Sequence, residues 1–525
     1  MDRAEELDVA IVGAGVGGLA CALRCAAAGA RVAVFERAPD VGGKMRVETV
    51  QGRPIDAGPT VLTMRSVFDD LFEAADLNLA DYLTLHPLDV LARHAWPDGT
   101  QLDLHADLAR SIDAVGQFAG AREAAGFAKF HARAANIWAR VTAPFLDNPR
   151  PGVTAAVDQV GWSGLWSLMG IDWHRTLWSA LSRDFRDPRL RQLLGRYATY
   201  YGSSPMLAPA TLALIAAVEQ AGVWRVDGGM AALSRALAGA VADKGGQVHT
   251  AAAVDEILVG SEGARGLRLA DGTEIAARTV VVNASPYALA AGAFGEAVRG
   301  AVAVTPQPRS LSAVTVCAVT RTRGLTPSYH TVLFSDDYPA EFEALFSDNR
   351  IPDEPTLYIC APDRVGEGPT GDERLFCLIN APATGDHHDF SPEVTSCLQR
   401  MQRLAARCGL ELDLSEPSDS ARRVVTTPND FARRFPHTGG ALYGDATHSF
   451  AAPLRRQGAR TRIPHLHVVG GGVHPGAGVP MVAIGGRHAA QAALQDLRSM
   501  SGSRSAATPG GTSTASATTV GSRSP

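Results

Sequence analysis

A strand-like apolar run, Val9-Ala-Ile-Val12, passes straight into Gly13-Ala-Gly-Val-Gly-Gly18 and then into an alanine-rich stretch ending at Ala28. No other feature restricts the fold of this chain as much. A G-x-G-x-x-G between a strand and a helix builds one particular turn. Gly13 permits the tight bend, Gly15 lets backbone approach a pyrophosphate, and Gly18 lets the helix pack on the strand. The helix start adds free N–H groups and the positive end of its dipole. A second strand-like run, Arg31 to Phe35, completes a βαβ unit and ends in Glu36, 18 residues after Gly18, where a carboxylate accepts ribose hydroxyls. An acid there disfavours a 2′-phosphate, so the adenosine half is that of FAD or NAD rather than NADP.

Arg37-Ala-Pro-Asp-Val-Gly-Gly-Lys44 follows at once. Gly42 and Gly43 offer a second flexible turn, and Lys44 a cation in a chain whose only other lysines are Lys129 and Lys244. An NAD site does not need a second phosphate-cradling loop; the longer pyrophosphate and ribityl chain of FAD does. At the other end, Leu466-His-Val-Val-Gly-Gly-Gly-Val-His-Pro-Gly-Ala-Gly-Val-Pro-Met481 reads as strand, glycine loop and helix. The helix is expected to start near Pro480, a good first helical residue. Its N–H groups around Val479 to Val482 would face a flavin's pyrimidine edge and favour negative charge there.

Further strands are expected over Gln247–Thr250, Val254–Val259, Gly266–Leu269 and Thr279–Asn283, with β-rich runs and a helix near Pro392–Cys408 between about Ser310 and Phe431. The segment from about Phe68 to Leu233 reads as mostly helical. Residues 500–525 are nearly all Ser, Thr, Gly, Ala and Pro, which predicts a disordered tail. The net charge of −5 offers no basic field for nucleic acid. Seven scattered cysteines without a C-x-x-C pair indicate neither a disulfide framework nor a zinc site. With no secretory pattern at Met1 to Asp8 and no uninterrupted apolar run of spanning length, the chain is expected in the cytoplasm. Trp162, Trp166, Trp173 and Trp178 cluster with Leu165, Leu168, Met169 and Leu177; either a membrane interface or a buried tunnel wall uses such residues. Asp386-His-His-Asp389 follows a turn and is read as solvated rather than as a metal site. His474, alone in its glycine loop, is read as a structural hydrogen-bonder.

The glycine fingerprint with Gly-Gly-Lys44, Asp56-Ala-Gly-Pro-Thr60 and the terminal Val473-His-Pro-Gly-Ala-Gly-Val-Pro480 together resemble the carotenoid (phytoene) desaturase family of flavoproteins. Within it, Asp56–Arg65, Leu91–Trp96, Gly195-Arg-Tyr-Ala-Thr-Tyr200 and Gly222–Met230 are most similar to the branch that desaturates hydroxyneurosporene or methoxyneurosporene at C3,4. The resemblance covers nearly all of the chain but the tail. It implies an α/β fold: a discontinuous, Rossmann-like FAD domain (1–75, 225–290 and 440–499) similar to amine oxidases and Rab GDP-dissociation inhibitors, and an inserted mixed substrate domain (76–224 and 291–439). The implied ADP half lies on Gly13, Ala14, Gly15, Gly17, Gly18, Glu36 and Arg37, with Gly43 and Lys44 beside the phosphates and ribityl and Val254 on the adenine. Gly58, Pro59 and Thr60 would lie near the isoalloxazine, and Gly471, Gly472, Pro480 and Met481 would hold its ribityl and pyrimidine edge. Two departures are Met481, where many relatives have a small residue, and Gly470-Gly-Gly-Val-His in place of Gly-Ala-Gly-Thr-His.

The implied substrate is a long apolar carotenoid, which places the protein at the membrane surface as a peripheral enzyme; the electron acceptor, such as oxygen or a quinone, is left unassigned. No residue is assigned as a catalytic base, and no metal is implied. Desaturation of phytoene, redox-neutral carotene isomerisation and a non-enzymatic isoprenoid carrier remain as alternatives at this point.

Overall fold

The computed structural model describes residues 6–149, 174–304, 307–366, 368–414 and 422–506. The first strand, Leu7–Val12, pairs in parallel with Val32–Phe35 on one side and with the long strand Glu274–Asn283 on the other. Gln247–His249 and Leu466–Val469 extend the parallel array outward from these neighbours. Before it enters that array, Glu274–Asn283 forms an antiparallel meander with Val254–Gly260 and Gly263–Leu269, giving seven strands in all. The continuous apolar runs are those of strands covered on both faces.

The helix Val16–Ala27 covers one face of this sheet, and ten of its twelve residues are buried. A helix so enclosed has neighbours on several sides. One is Val479–Ala506, packed at backbone distance: a Cβ placed on Gly486 would come within 2.6 Å of the Gly17 carbonyl and 2.8 Å of the Ala20 Cβ. Ala231–Asp243 packs on it as well, through Leu233, Leu237 and Val241.

A second seven-stranded sheet runs in the order 423–426, 312–320, 373–381, 357–360, 330–333, 90–95, 101–105. Two of its strands correct the expectation of a mostly helical 68–233 segment, which also contributes short strands at Leu85–Pro87 and Trp224–Val226. Trp96-Pro-Asp-Gly-Thr100 makes the reason visible. It is turn chemistry of the Pro-Asp-Gly kind, with Gly99 at φ +82° and the Trp96 and Thr100 backbones hydrogen-bonded, and it folds 90–95 onto 101–105 as an edge hairpin. Helices 108–119, 121–141, 177–184, 188–195 and 214–220 supply the helical remainder.

The C-terminal helix continues to Ala506, so the first residues assigned to a disordered tail are helical; 507–525 lie outside the described residues. Trp162, Trp166, Trp173, Leu165, Leu168 and Met169 also lie outside them. Trp178 is half-buried against Tyr338, with ring centroids 6.1 Å apart.

Because Gly486 meets backbone of the neighbouring helix, Gly486→Leu should lower unfolding stability by about 1–3 kcal/mol through overpacking. Gly300→Ala, where an added Cβ meets nothing within 4 Å, should change it by no more than about 0.5 kcal/mol. Paired denaturant melts check both.

Candidate active site

The loops that leave the carboxyl ends of the parallel strands, around Gly13, Glu36, Asn283 and Gly470, open into one cavity of about 1860 Å³. That is well above the ~300–1,000 Å³ of an ordinary small-ligand pocket. It lies where doubly wound sheets bind dinucleotides. Gly13, Gly15, Glu36, Arg37, Gly43, Lys44, Gly58, Pro59, Thr60, Val254, Gly471, Gly472, Pro480 and Met481 all line it.

Ala14, Gly17 and Gly18 do not, and the reason is steric. A Cβ on Gly18 would sit 2.1 Å from the Gly13 carbonyl oxygen, and one on Gly17 2.8 Å from both Val469 and Val482. Ala14 is buried beneath the turn and donates its N–H to Glu36 Oε2 at 2.7 Å. These three residues shape the cradle from behind.

Two glycine turns are stacked on each other. Gly42, at φ +122°, donates to the Ala14 carbonyl at 2.9 Å, and a Cβ on Gly43 would lie 3.4 Å from Gly15 Cα. Glu36 ties the second turn in, because its other oxygen accepts from Ala38 N–H at 2.9 Å; a carboxylate with one bond on each oxygen still has lone pairs to offer. Asn283, which the sequence reading missed, ends its strand against the same turn. With its amide oxygen facing the turn it accepts from Gly15 and Gly18 N–H at 3.2 Å each.

Lys44 Nζ donates to the Leu442 carbonyl at 2.6 Å and lies 5.2 Å from the Phe435 ring centre. Burial lowers its pKa to about 8. Of the charged residues lining the cavity, Arg37, Lys44, Arg46, Arg196, Arg235 and Arg434 are basic and only Glu36 and Asp40 acidic, an excess that suits an anionic ligand. Across the cavity, Val482 N–H is taken by the Gly478 carbonyl at 2.9 Å, and Pro480 has no N–H. The first turn of the C-terminal helix therefore leaves Val479 and Met481 N–H without an intrahelical acceptor.

Two motifs that carried the family resemblance lock together here. Asp56 Oδ2 accepts from Met230 N–H at 2.7 Å and Oδ1 from Ala231 N–H at 3.3 Å, capping the helix Ala231–Asp243. Gly229, at φ +79°, leaves room for that carboxylate, since a Cβ there would lie 2.4 Å from Oδ2.

Beyond the glycine loops the lining becomes apolar, with Trp138, Val141, Leu212, Ile215, Val218 and Phe376 prominent. Polar groups interrupt it at few places. Thr60 Oγ1, Tyr358 Oη and His330 Nδ1 form a hydrogen-bonded chain with links of 2.6 and 2.7 Å. Burial, aided by Arg196, pushes the His330 pKa down to about 3, so this chain orients hydroxyls and is a poor proton store. His474 is buried away from the cavity, hydrogen-bonded to the Asn148 carbonyl at 2.9 Å, with burial holding its pKa at about 4. Asp386 is engaged by Arg309 through bonds of 2.8 and 2.7 Å. Among the described residues no cluster of three or more His, Cys, Asp or Glu is placed to hold a metal.

A family model described as flavin containing amine oxidoreductase matches residues 16–494. The chain belongs to that family. A hydroxyneurosporene desaturase from Rubrivivax gelatinosus is 46% identical over 98% of this chain and 98% of its own. One from Cereibacter sphaeroides is 42% identical over 94% of this chain and 98% of its own. A zeta-carotene-forming phytoene desaturase from Myxococcus xanthus is 30% identical over 91% and 92%. Among solved structures, an oxidoreductase from Methanosarcina mazei shares the fold at TM-score 0.59 and 16% identity, covering 91% of this chain and 98% of its own. The flavoenzyme's cofactor is FAD. The paired glycine cradles, the cationic excess and the position of Glu36 in the cavity wall all suit it.

Behind the cavity wall, buried Glu341 accepts from Thr356 N–H at 3.1 Å and Oγ1 at 2.6 Å and from Asn380 Nδ2 at 3.4 Å; burial pushes its carboxyl up to about 7. A raised carboxyl pKa means that the folded state holds the proton more tightly, so its stabilisation is complete below about pH 4.5 and is lost as pH rises through about 7. Glu341→Gln should therefore flatten the fall in stability between those values, a difference on the order of 2–3 kcal/mol. Urea melts of the two proteins at both ends of that range read it directly.

Proposed function

We propose that this flavoenzyme desaturates an acyclic C40 carotenoid, and that its reaction is C3,4-desaturation of a 1-hydroxy (or 1-methoxy) carotenoid such as 1-hydroxyneurosporene. The observation that carries the reading is the continuity of one cavity from a cationic, glycine-walled end to an apolar end. The first suits a dinucleotide and the second a long hydrocarbon. Two relatives named for hydroxyneurosporene desaturation stand at 46% and 42% identity, against 30% for the phytoene desaturase.

In this reading Gly13, Gly15, Glu36 and Arg37 hold the ADP half, with Ala14, Gly17 and Gly18 shaping the turn behind it and Val254 at the adenine. Gly43 and Lys44 hold the pyrophosphate and ribityl, and Gly58, Pro59 and Thr60 border the ring. Gly471, Gly472, Pro480 and Met481 close over the other edge, and the open N–H groups of Val479 and Met481 favour negative charge there. FAD, when bound, supplies the acceptor for a hydride from the substrate, whose neighbouring carbon releases a proton. The chain's own work is to hold the polyene, exclude water and place the reacting bond beside Thr60. The division into a FAD domain (1–75, 225–290, 440–499) and a substrate domain (76–224, 291–439) belongs to the same proposal; the strands of the first sheet all fall in the former and those of the second in the latter.

A carotenoid resides in lipid, and the enzyme accordingly works at the membrane surface. No described helix is long and apolar enough to cross a membrane.

Two outcomes test this reading. Product from 1-hydroxyneurosporene should be two hydrogens lighter with a red-shifted spectrum; unchanged mass would indicate isomerisation, and conversion of phytoene alone would overturn the substrate assignment. Lys44→Met should weaken FAD binding about tenfold, as the loss of one charge-assisted contact would. Because burial lowers Lys44 to about 8, FAD binding near pH 9 should draw a proton onto it, seen by calorimetry in two buffers and absent in the variant.

A further inference from the structure

One charged network stands in the apolar part of the cavity. Arg196 and Tyr200, from the short helix Arg196–Tyr201, both line it. Arg196 Nη1 donates to Tyr200 Oη at 2.9 Å, and its Nη2 lies 3.5 Å from Glu219 Oε1. Tyr200 Oη donates to Glu219 Oε1 at 2.8 Å, and Tyr197 Oη to Glu219 Oε2 at 2.6 Å. Arg196 is 7% exposed and Glu219 4%. Burial works against the guanidinium charge, but Tyr200, Glu219 and Tyr197 more than offset it and raise the Arg196 pKa.

A buried ion pair seldom stabilises a fold more than apolar side chains of similar size. Packing alone therefore gives little reason to put one in the wall of a hydrocarbon-lined chamber. Hydrogen-bond accounting shows what the network has left to offer. Tyr200 Oη has accepted one bond and given one, so one acceptor site remains. Arg196 Nε is buried without a partner. A hydroxyl carries what each opening calls for, as it gives and takes a hydrogen bond; an ether only takes, and a hydrocarbon end does neither.

Location agrees with this chemistry. Arg196 and Tyr200 line the same cavity as Thr60 and Tyr358, and the Arg196 charge is felt at His330. In a 1-hydroxycarotenoid the oxygen is carried two carbons from C3, so a group that reads it has to lie near the reacting bond.

We propose that Arg196 and Tyr200 bind the terminal hydroxyl of the carotenoid and select hydroxylated chains over hydrocarbon ones, with Glu219 positioning both side chains. This rests on the hydroxycarotenoid reading above and goes beyond it by naming the residues that discriminate. It also gives a role to the Gly195–Tyr200 motif.

The test compares FAD-loaded wild type and Tyr200→Phe on 1-hydroxyneurosporene, its 1-methoxy ether and neurosporene, with KM and kcat measured separately and FAD content and melting temperature as controls. Wild type should favour the alcohol over the hydrocarbon by about tenfold in KM, with the ether between them. In Tyr200→Phe the alcohol should lose its advantage over the ether and keep only part of its advantage over the hydrocarbon, because the lost acceptor mattered only to the alcohol whereas the Arg196 donor serves alcohol and ether alike. A merely structural role would shift KM for all three alike. If Tyr200→Phe does not fold, the wild-type ranking decides: equal KM values for alcohol, ether and hydrocarbon overturn the proposal. An unchanged preference in a folded variant overturns it as well. Wild-type turnover of the alcohol without a Tyr200-dependent preference refutes this inference alone, whereas turnover of phytoene and of no neurosporene derivative refutes the function from which it starts.

Discussion

Close approach of backbone to backbone around Gly13–Gly18 is the constraint on which the rest of the structure depends. A Cβ on Gly18 would meet the Gly13 carbonyl oxygen, one on Gly15 would lie 2.7 Å from the Asn283 amide, and one on Gly42 would lie 2.4 Å from the Met45 carbonyl oxygen. Where no side chain fits, two turns and a strand end can share one small volume. The same economy lets the C-terminal helix lie against the N-terminal helix at Gly486, some 470 residues along the chain from Gly17. Sequence-distant glycine loops are thereby brought to face each other across one cavity.

That cavity joins two kinds of surface that are seldom continuous. Its cationic, backbone-rich end competes with water for phosphate, and its apolar end gains by excluding water altogether. Several polar side chains in the apolar end are tied to others: Thr60 to Tyr358 and His330, Tyr200 to Arg196 and Glu219, Thr356 and Asn380 to Glu341. Buried polar groups that satisfy one another keep fixed orientations. Those with a valence left over are the ones available to a substrate.

Much of the dinucleotide end was legible in the sequence because its physics is local. Glycines, a following helix and an acid at the next strand end must occur in order, and they do. The local reading also gave Gly18 its packing role; Ala14, Gly17 and Gly18 were placed on the ADP half by the resemblance, and they stand behind the turn rather than in the cavity lining. Asn283 was missed because its partners lie about 270 residues away and nothing nearby marks it. The hairpin 90–105 was hidden in a helical stretch although Pro97-Asp-Gly99 carried a turn signal, since its place in a sheet depends on pairing with the distant strand 330–333. Arg196, Tyr200 and Glu219 stood inside or near a quoted motif, but their chemistry emerges only when two helical segments meet over an apolar chamber.

In the proposed reaction one cavity holds FAD and a hydroxylated carotenoid together, with the bond to be desaturated beside the ring. Anaerobic mixing of the FAD-loaded enzyme with 1-hydroxyneurosporene, followed by absorbance, is the decisive measurement. The oxidised flavin band should be lost, one equivalent for each new double bond. A flavin that stays oxidised with this substrate yet bleaches with phytoene would contradict it.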